Sequence, residues 1–420
     1  MAINLIRILF IISYILCLFS NKATIFFFIL FLPLNPILPK EYNILGLFSY
    51  PMVYAFIVFY HHIINNNFKI FDKKSKDPAF TIIPYLFIVY LIIKLYGNIY
   101  DYYQGGLFVS RNDNIIIIIL RTTIPIIAYL LIIKDIKNNI KISEVAIILS
   151  TLLILLSIIF YNQLYKIGIR LEESESIEYV TTIESRSYGI FDYGDVNSLG
   201  TLYNFIIAFI LALSSIYKKP LSLIQLIIIS ISIVGIALTG SRMAIIILLL
   251  TILLYLLNIS IINYRNILII TFIIIIFVYF NLFSYVLERI KLFGISREIS
   301  PWGGARFERW ILYLNEIFSS PRNLLFGYTN IVYFYGEFRD PHNFIIRSLY
   351  MNGIVLTLLW LLMFIKSYKF FNKNLGFKNN IIIFIPIIIN MLIISQIDVL
   401  FIFYILILIL YYSNKNYAYI

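Results

Sequence analysis

Apolar runs recur along almost the whole chain, and short polar segments separate them. Each run is about 20 residues long, which is the length that an α-helix needs to cross a bilayer. In hydrocarbon every backbone N–H and C=O group must be paired internally, and the runs are too long and too uniformly apolar for barrel strands. The pattern therefore predicts an all-α polytopic membrane protein.

The pattern predicts about 12 to 13 transmembrane helices in one membrane domain, residues 1–420. Two longer polar segments interrupt it, an acidic one at 163–198 and an arginine-rich one at 285–342. The pattern shows neither a sequence repeat nor a separate soluble domain. The predicted spans are 3–20, 23–39, 43–63, 80–97, 114–133, 144–162, 199–217, 221–239, 242–259, 266–284, 343–365, 379–395 and 397–413.

Composition supports this class. The chain is 61% hydrophobic and 13% charged, which excludes an ordinary soluble domain. Cys17 is the lone cysteine, so an intrachain disulfide is impossible. The net charge of +12 would suggest nucleic acid as a partner, but the charges flank the apolar runs, as is usual for membrane proteins. We therefore expect no nucleic-acid partner, and we expect the first apolar run to be a retained helix because it lacks a small-residue cleavage site.

Lysine predicts the orientation. Lysine-rich segments at 69–76, 134–141, 218–219 and 366–378 fall on one side if the spans alternate, and this side should be cytoplasmic. The two long polar segments then face the periplasm of a bacterial inner membrane. The orientation of the N-terminus stays open, because twelve helices would place both ends in the cytoplasm and thirteen would place the N-terminus outside.

Arginine has the opposite distribution. Most of the 14 arginines lie on the predicted outer side or at its membrane edge, whereas the positive-inside rule predicts the reverse. A guanidinium binds phosphate or carboxylate through a planar fork of donors, so the set indicates an anionic, phosphate-bearing substrate. The alternative is that single arginines pair with nearby acids. The outer arginines are Arg111, Arg170, Arg186, Arg242, Arg289, Arg297, Arg306, Arg309, Arg322, Arg339 and Arg347.

The acidic segment 163–198 has two interpretations. Its carboxylates, together with Arg170, Arg186 and tyrosines such as Tyr179, could bind an acceptor sugar. Equally, the segment could be a solvated cap. The sequence leaves both open.

Two motifs place arginine at a membrane edge. Thr239-Gly240-Ser241-Arg242 joins two apolar spans, and Arg242 there is either an anion anchor facing a wet cavity or a side chain that snorkels to the headgroups. Glycines at 303–304 precede an amphipathic helix predicted at 306–319, which should lie on the membrane surface or cap a cavity. Arg306 and Arg309 are three residues apart and share a face of this helix.

His342 lies at the outer mouth of a predicted span, beside Asp340, and Asn343 and Arg347 follow it. An imidazole with an ordinary pKa of about 6.5 suits a general base near neutral pH. A lone histidine is more often structural, but the neighbouring arginines favour catalysis here. His61-His62 reads as a structural feature at the opposite face. Neither metal-ligand spacing nor a phosphate-loop glycine motif occurs, which favours a reaction without metal or cofactor.

Five short motifs follow one another between residues 240 and 354. They are Gly240-Ser241-Arg242 at a helix start, Arg306 with Trp310, Leu325-Phe326-Gly327-Tyr328, His342-Asn343, and Asn352-Gly353-Ile354.

In this order and membrane placement, residues 199–365 resemble the O-antigen polymerase (Wzy) and O-antigen ligase (WaaL) superfamily. The N-terminal half agrees only in being polytopic. The resemblance implies a lipid-dependent glycosyltransferase architecture of the GT-C-like kind, with an active site at the periplasmic face. The donor would be an oligosaccharide on undecaprenyl diphosphate, and no cofactor would be needed. One departure is that the paired arginine-x10-glycine pattern of some polymerases is missing.

The resemblance also implies residue roles. Arg242 and Arg306 would bind the donor diphosphate and stabilise its leaving charge. His342 would orient or deprotonate the acceptor hydroxyl, and a single displacement would invert the anomeric carbon. The further substrate-binding candidates are Arg309, Asp340, Asn343, Arg347, Arg186 and Arg170.

The expected function is that of an O-antigen polymerase, which joins lipid-linked repeat units in lipopolysaccharide biosynthesis. The expected partners are these lipid-linked oligosaccharides, membrane lipids, a chain-length regulator and the flippase of the same pathway. Two alternatives stay open. A ligase would transfer the glycan to lipid A-core, and a repeat-unit flippase or other transporter would move its substrate without elongation. A transporter usually places charges near the membrane midplane, and Arg121 beside Pro125 suits that alternative.

Overall fold

The structure is a computed structural model. It describes residues 2–31, 50–65, 138–156, 161–171, 177–187, 196–217, 221–239, 241–258, 305–327, 333–334, 337–338, 343–376 and 381–384, and isolated positions in 85–99, 123–136, 271 and 388–389. The helices are α1 (Ala2–Phe19), α2 (Asn21–Phe31), α3 (Tyr50–Ile64), α4 (Ile140–Leu156), α5 (Val196–Tyr217), α6 (Leu223–Thr239), α7 (Arg242–Asn258), α8 (Ala305–Phe318), α9 (Pro321–Phe326) and α10 (Phe344–Leu375).

Helix dominates the described residues, which agrees with the predicted helical class. Among the helices that the structure describes, none combines the length and the apolarity that crossing a membrane requires. The predicted spans at 80–97, 114–133, 266–284, 379–395 and 397–413 lie wholly or largely outside the described residues.

Two antiparallel hairpins add strands that the sequence pattern did not predict. Strand β1 (Tyr161–Leu171) pairs with β2 (Ile177–Ser187), and the short strands β3 (Tyr333–Phe334) and β4 (Glu337–Phe338) pair with each other. The longer hairpin occupies much of the acidic segment. Its strands are rich in isoleucine, tyrosine and threonine, which favour strands, and acidic and serine residues fill the connection between them.

Contacts divide the chain into two compact units. The first contains residues 1–35, 40–150 and 293–420, and the second contains 36–39 and 151–292. In the first unit, α1, α2 and α3 contact one another around the buried side chain of Tyr54. The hydroxyl groups of Ser13 and Tyr54 lie 2.6 Å apart, so α1 and α3 share a buried hydrogen bond.

In the second unit, α5 is the central helix and contacts both α6 and α7. Residues 199–208 of α5 are all buried, which is the pattern of a helix packed on every side. Two glycines allow the close approach. A Cβ on Gly200 would lie 2.7 Å from the Cβ of Ala244, and one on Gly235 would lie 2.5 Å from the ring of Tyr203. The Tyr203 hydroxyl donates to the carbonyl oxygen of Ile154, 3.0 Å away, which adds α4 to the packing.

Candidate functional site

The candidate site in the first unit begins at the N-terminus of α10. Asn343 is the N-cap of this helix, with extended backbone angles of φ −143° and ψ 118°. Its Oδ1 atom accepts hydrogen bonds from the backbone N–H groups of Ile345 and Ile346, at 3.0 and 3.1 Å. These N–H groups have no partner inside the helix, so the side chain of Asn343 fixes where α10 starts.

The short helix α9 is defined by its own caps. Ser320 accepts from the backbone N–H of Asn323 through its hydroxyl, and Pro321 occupies the first turn, where a missing N–H costs nothing. Gly327 ends the helix with φ +84°, and its N–H donates to the carbonyl oxygen of Asn323 at 2.9 Å. Residues 321–327 therefore form a capped helical turn.

Helix α9 lies directly against a kink in α10. Gly353 interrupts α10 with φ +71° and ψ 176°. A Cβ at this position would meet the backbone of Leu325 and Phe326, with the Leu325 carbonyl oxygen only 2.2 Å away. Two of the sequence motifs, Leu325–Tyr328 and Asn352–Ile354, thus meet in space, and glycine is the residue that allows it.

Helix α8 packs on the first turns of α10 through aromatic and aliphatic side chains. Tyr313 and Tyr350 meet edge to face, with ring centroids 4.7 Å apart. Ile317 and Ile346 complete the buried cluster, and Trp310 packs against it from the side. The Arg306-with-Trp310 motif therefore belongs to the same small assembly as the other two.

A buried polar cluster lies next to the kink in α10. Thr357 donates through its hydroxyl to the carbonyl oxygen of Gly353 at 2.8 Å, and the same hydroxyl oxygen accepts from the Ser348 hydroxyl at 2.9 Å. Asn352 donates to Ser348 at 3.5 Å. Because a positive-φ glycine breaks the regular helical ladder, side-chain hydroxyls close to the break can satisfy the freed backbone groups.

The structure describes some of the predicted site residues of the first unit and leaves others outside the described residues. Asn343 and Arg347 lie at the start of α10, where Arg347 is half-buried and its backbone N–H donates to the Asn343 carbonyl oxygen at 2.9 Å. Arg306 and Arg309 belong to the first turns of α8. His342 and Asp340 lie outside the described residues, although His342 directly precedes the Asn343 cap in the chain. Their proposed roles stay predictions.

Arg242 belongs to the second unit, where it is the first residue of α7. Ser241 precedes this helix, and its hydroxyl accepts from the backbone N–H of Ala244 at 3.4 Å. Asn204 of α5 donates from Nδ2 to the Ala244 carbonyl oxygen at 2.8 Å and is fully buried. Its Oδ1 atom has no hydrogen-bond partner. The start of α7 is thus a polar point inside an apolar unit.

The hairpin places Arg170 and Arg186 at register positions far apart. Arg170 is opposite Glu178, and Arg186 is opposite Asn162, which precedes Arg170 by eight residues in β1. At about 3.3 Å per residue, the two arginine positions are separated by roughly 26 Å along the hairpin. A single phosphate group cannot bridge that distance. If both positions bind substrate, they bind different parts of an extended molecule.

A buried histidine–carboxylate pair was missed by the sequence reasoning. His62 Nε2 donates to Asp135 Oδ2 at 2.8 Å, and the two side chains are only 3% and 8% exposed. The adjacent His61 donates from Nε2 to the carbonyl oxygen of Cys17 at 2.6 Å. The signal in the sequence was Asp135 itself, an acid within the lysine-rich segment 134–141. Both histidines are therefore buried, and each makes a hydrogen bond to a distant segment of the chain.

Comparison with protein-family models, curated proteins and solved structures finds no match. Among the described residues, His, Cys, Asp and Glu side chains form no group of three that could hold a metal ion. The site must therefore be interpreted from its own chemistry.

Proposed function

We propose that this protein is an O-antigen polymerase of a bacterial inner membrane. In this proposal the apolar runs cross the membrane, and the arginine-rich segment faces the periplasm. The protein joins repeat units carried on undecaprenyl diphosphate. The resemblance to the polymerase and ligase superfamily supports this assignment through the order of five short motifs.

One observation carries the proposal furthest. Three of the five motifs, around Trp310, Leu325 and Gly353, pack into one assembly of α8, α9 and α10, and Asn343 of a fourth motif caps that assembly. Their convergence supports the interpretation that the motifs form one site.

The proposed chemistry uses charge and one base. The resemblance assigns the donor diphosphate to Arg306 and Arg242, because guanidinium forks match phosphate oxygens and stabilise the negative charge that develops on the leaving group. His342 takes the proton of the acceptor hydroxyl as its oxygen attacks the anomeric carbon. The bond from that carbon to the diphosphate oxygen breaks, and the carrier diphosphate leaves. Arg309, Asp340 and Arg347 support these groups.

The test is the lipopolysaccharide of a strain that lacks this gene. A polymerase predicts core that carries a single repeat unit, because ligation continues without elongation. Complementation with the wild-type gene should restore the ladder, whereas His342→Ala at equal membrane abundance should not. Bare core with long glycan still on the carrier would instead indicate a ligase. A wild-type ladder in the His342→Ala strain would exclude the proposed base.

A transporter is the second candidate, and the His62–Asp135 pair favours it. Buried ionisable pairs inside membrane proteins often mark proton or ion pathways. A flippase would move labelled repeat unit across vesicles without lengthening it, and His62→Leu would abolish that movement. A polymerase would lengthen the glycan in the same vesicles when donor and acceptor are both on the outer-facing side.

A further inference from the structure

Helix α8 has two apolar faces, and α10 covers one of them. The covered face carries Trp310, Tyr313 and Ile317, which belong to or pack against the buried cluster with α10. On the neighbouring flank, Ile311 is 46% exposed and Phe318 is 67% exposed. These two residues are seven apart, so they lie one above the other on the same side of the helix.

The next helix also exposes apolar side chains. Leu325 and Phe326 of α9 are 43% and 49% exposed, although the backbone between them is pressed against α10. Exposed large apolar side chains occur singly on most proteins, but a group of four on two consecutive short helices indicates an interaction surface. We call the side chains of Ile311, Phe318, Leu325 and Phe326 the apolar flank.

Two charged positions of α8 lie on its other side, whereas the Glu308 and Arg306 positions are about 70° and 130° around the helix from the apolar flank. At about 100° per residue, Glu316 and the position of Arg309 are each at least 150° around the helix from the middle of the Ile311–Phe318 line. The helix therefore has a seat on α10, an apolar flank, and an opposite side that carries an acid and an arginine. That arrangement is typical of a helix that lies in the plane of a membrane interface.

We infer that the apolar flank lies on the outer surface of the lipid bilayer. The inference rests on the membrane placement in the proposed function and deepens it. Helix α8 packs beside Ile346 and Tyr350, which fall in the first two turns of α10, where the predicted span 343–365 begins. This contact sets α8 at the level where hydrocarbon ends.

The exposed side chains of α10 beyond its contact with α8 favour lipid over a protein partner. Leu358, Leu362 and Ile365 are four and three residues apart and are each more than 40% exposed, so they form a stripe on one side of the predicted span. In a membrane this stripe faces lipid tails. Lipid can also cover the apolar flank near the membrane surface, so a second protein is not needed.

The consequence concerns the arginines. With one flank of α8 held by lipid, the side that carries the Arg309 position is turned away from the hydrocarbon. Arginines at headgroup level and facing away from the tails are where a lipid-linked diphosphate would present its charge. The apolar flank would thus set the height of α8 above the membrane, and with it the height of the Arg306 and Arg309 positions.

The test uses the full-length protein in nanodiscs of phosphatidylcholine. Cys17 is the lone cysteine and is buried, so a Cys17→Ser chain provides a background for single cysteines. Ile311→Cys and Phe318→Cys report on the apolar flank, Glu316→Cys is the control on the opposite side, and Leu362→Cys marks the predicted span. Each cysteine carries a bimane label, and nitroxide lipids quench bimane on contact.

We expect shallow nitroxides to quench the labels at Ile311 and Phe318 several-fold more than the label at Glu316, and deep nitroxides to quench the label at Leu362. Quenching at Leu362 with equal, weak quenching at Ile311 and Glu316 would overturn the inference and leave the membrane placement intact. Weak quenching at every position would overturn the membrane placement as well. Disulfide-linked dimers through Ile311→Cys would show that a second copy covers the flank, which also overturns the inference. If Phe318→Cys does not fold, the contrast between positions 311 and 316 decides alone.

Discussion

Gly353 of α10 lies against the peptide group that joins Leu325 to Phe326 in α9. The space for a Cβ at Gly353 is already filled by the Leu325 carbonyl carbon and oxygen and by the Phe326 nitrogen, all within 2.5 Å. Backbone atoms cannot swing aside as the end of a side chain can. The position of α9 on α10 therefore depends on a single missing methyl group.

The first prediction compares two glycines of α10. Gly353 and Gly376 have similar backbone angles that only glycine adopts easily, so alanine at either costs about 1–3 kcal/mol of strain. Only at Gly353 does the new Cβ also clash, because nothing lies within 4 Å at Gly376. We expect Gly353→Ala to lower the thermal unfolding temperature in detergent clearly more than Gly376→Ala, and to abolish the lipopolysaccharide ladder. Equal effects of the two substitutions would show that α9 is not seated as described.

The second prediction separates two roles of Asn343. As an N-cap, it stabilises the protein by about 1 kcal/mol relative to alanine, and serine can replace it. We expect Asn343→Ala to lower the free energy of unfolding by that amount, and Asn343→Ser to restore most of it. If Asn343→Ser regains stability but not glycan polymerisation, the amide also contacts substrate. Recovery of both would assign Asn343 to the cap alone.

The third prediction concerns the His62–Asp135 pair. Removing one partner leaves a buried polar group without its hydrogen bond, so His62→Leu and Asp135→Leu should each cost on the order of 3 kcal/mol in chemical unfolding. The double variant should cost less than the sum, because it leaves neither group stranded. Additive losses would mean that the two side chains do not interact in the folded protein.

The fourth prediction tests the arginine that begins α7. If Arg242 grips a diphosphate with both arms of its guanidinium, Arg242→Lys keeps the charge but loses the fork. We expect at least a tenfold loss of polymerisation rate at unchanged abundance. Arg265→Lys is the matched control, since that arginine lies on the predicted cytoplasmic side. Full activity of Arg242→Lys would exclude bidentate binding at this position.

The sequence predicted the helices of the second unit closely. The spans predicted at 221–239 and 242–259 correspond to α6 and α7, Leu223–Thr239 and Arg242–Asn258. Here the sequence Thr-Gly-Ser separates two apolar runs. The glycine and the capping serine identify where one helix ends and the next begins. The amphipathic helix predicted at 306–319 is likewise found as α8, Ala305–Phe318.

Pairings between distant segments were not predictable. Asp135 is 73 residues from His62, and nothing in either local pattern names the other as its partner. The β1–β2 hairpin was missed for a different reason, because the segment was interpreted by its acidic charge and not by its β-branched and aromatic residues. The seat of α9 at Gly353 depends on a backbone contact, which leaves no signature in side-chain chemistry.

The ring of Tyr203 packs against Gly235, and its hydroxyl donates to the carbonyl oxygen of Ile154. One side chain of α5 thus joins two helices, and each of them offers only backbone at the contact. The hydrogen bond at residue 154 needs only a carbonyl, which every amino acid supplies, whereas the buried Ile154 side chain is constrained by core packing. A change at Gly235 depends on Tyr203, because a larger residue at 235 has room only after the ring at 203 has become smaller. In descendants of this chain a larger residue at 235 should therefore be inherited together with a smaller one at 203.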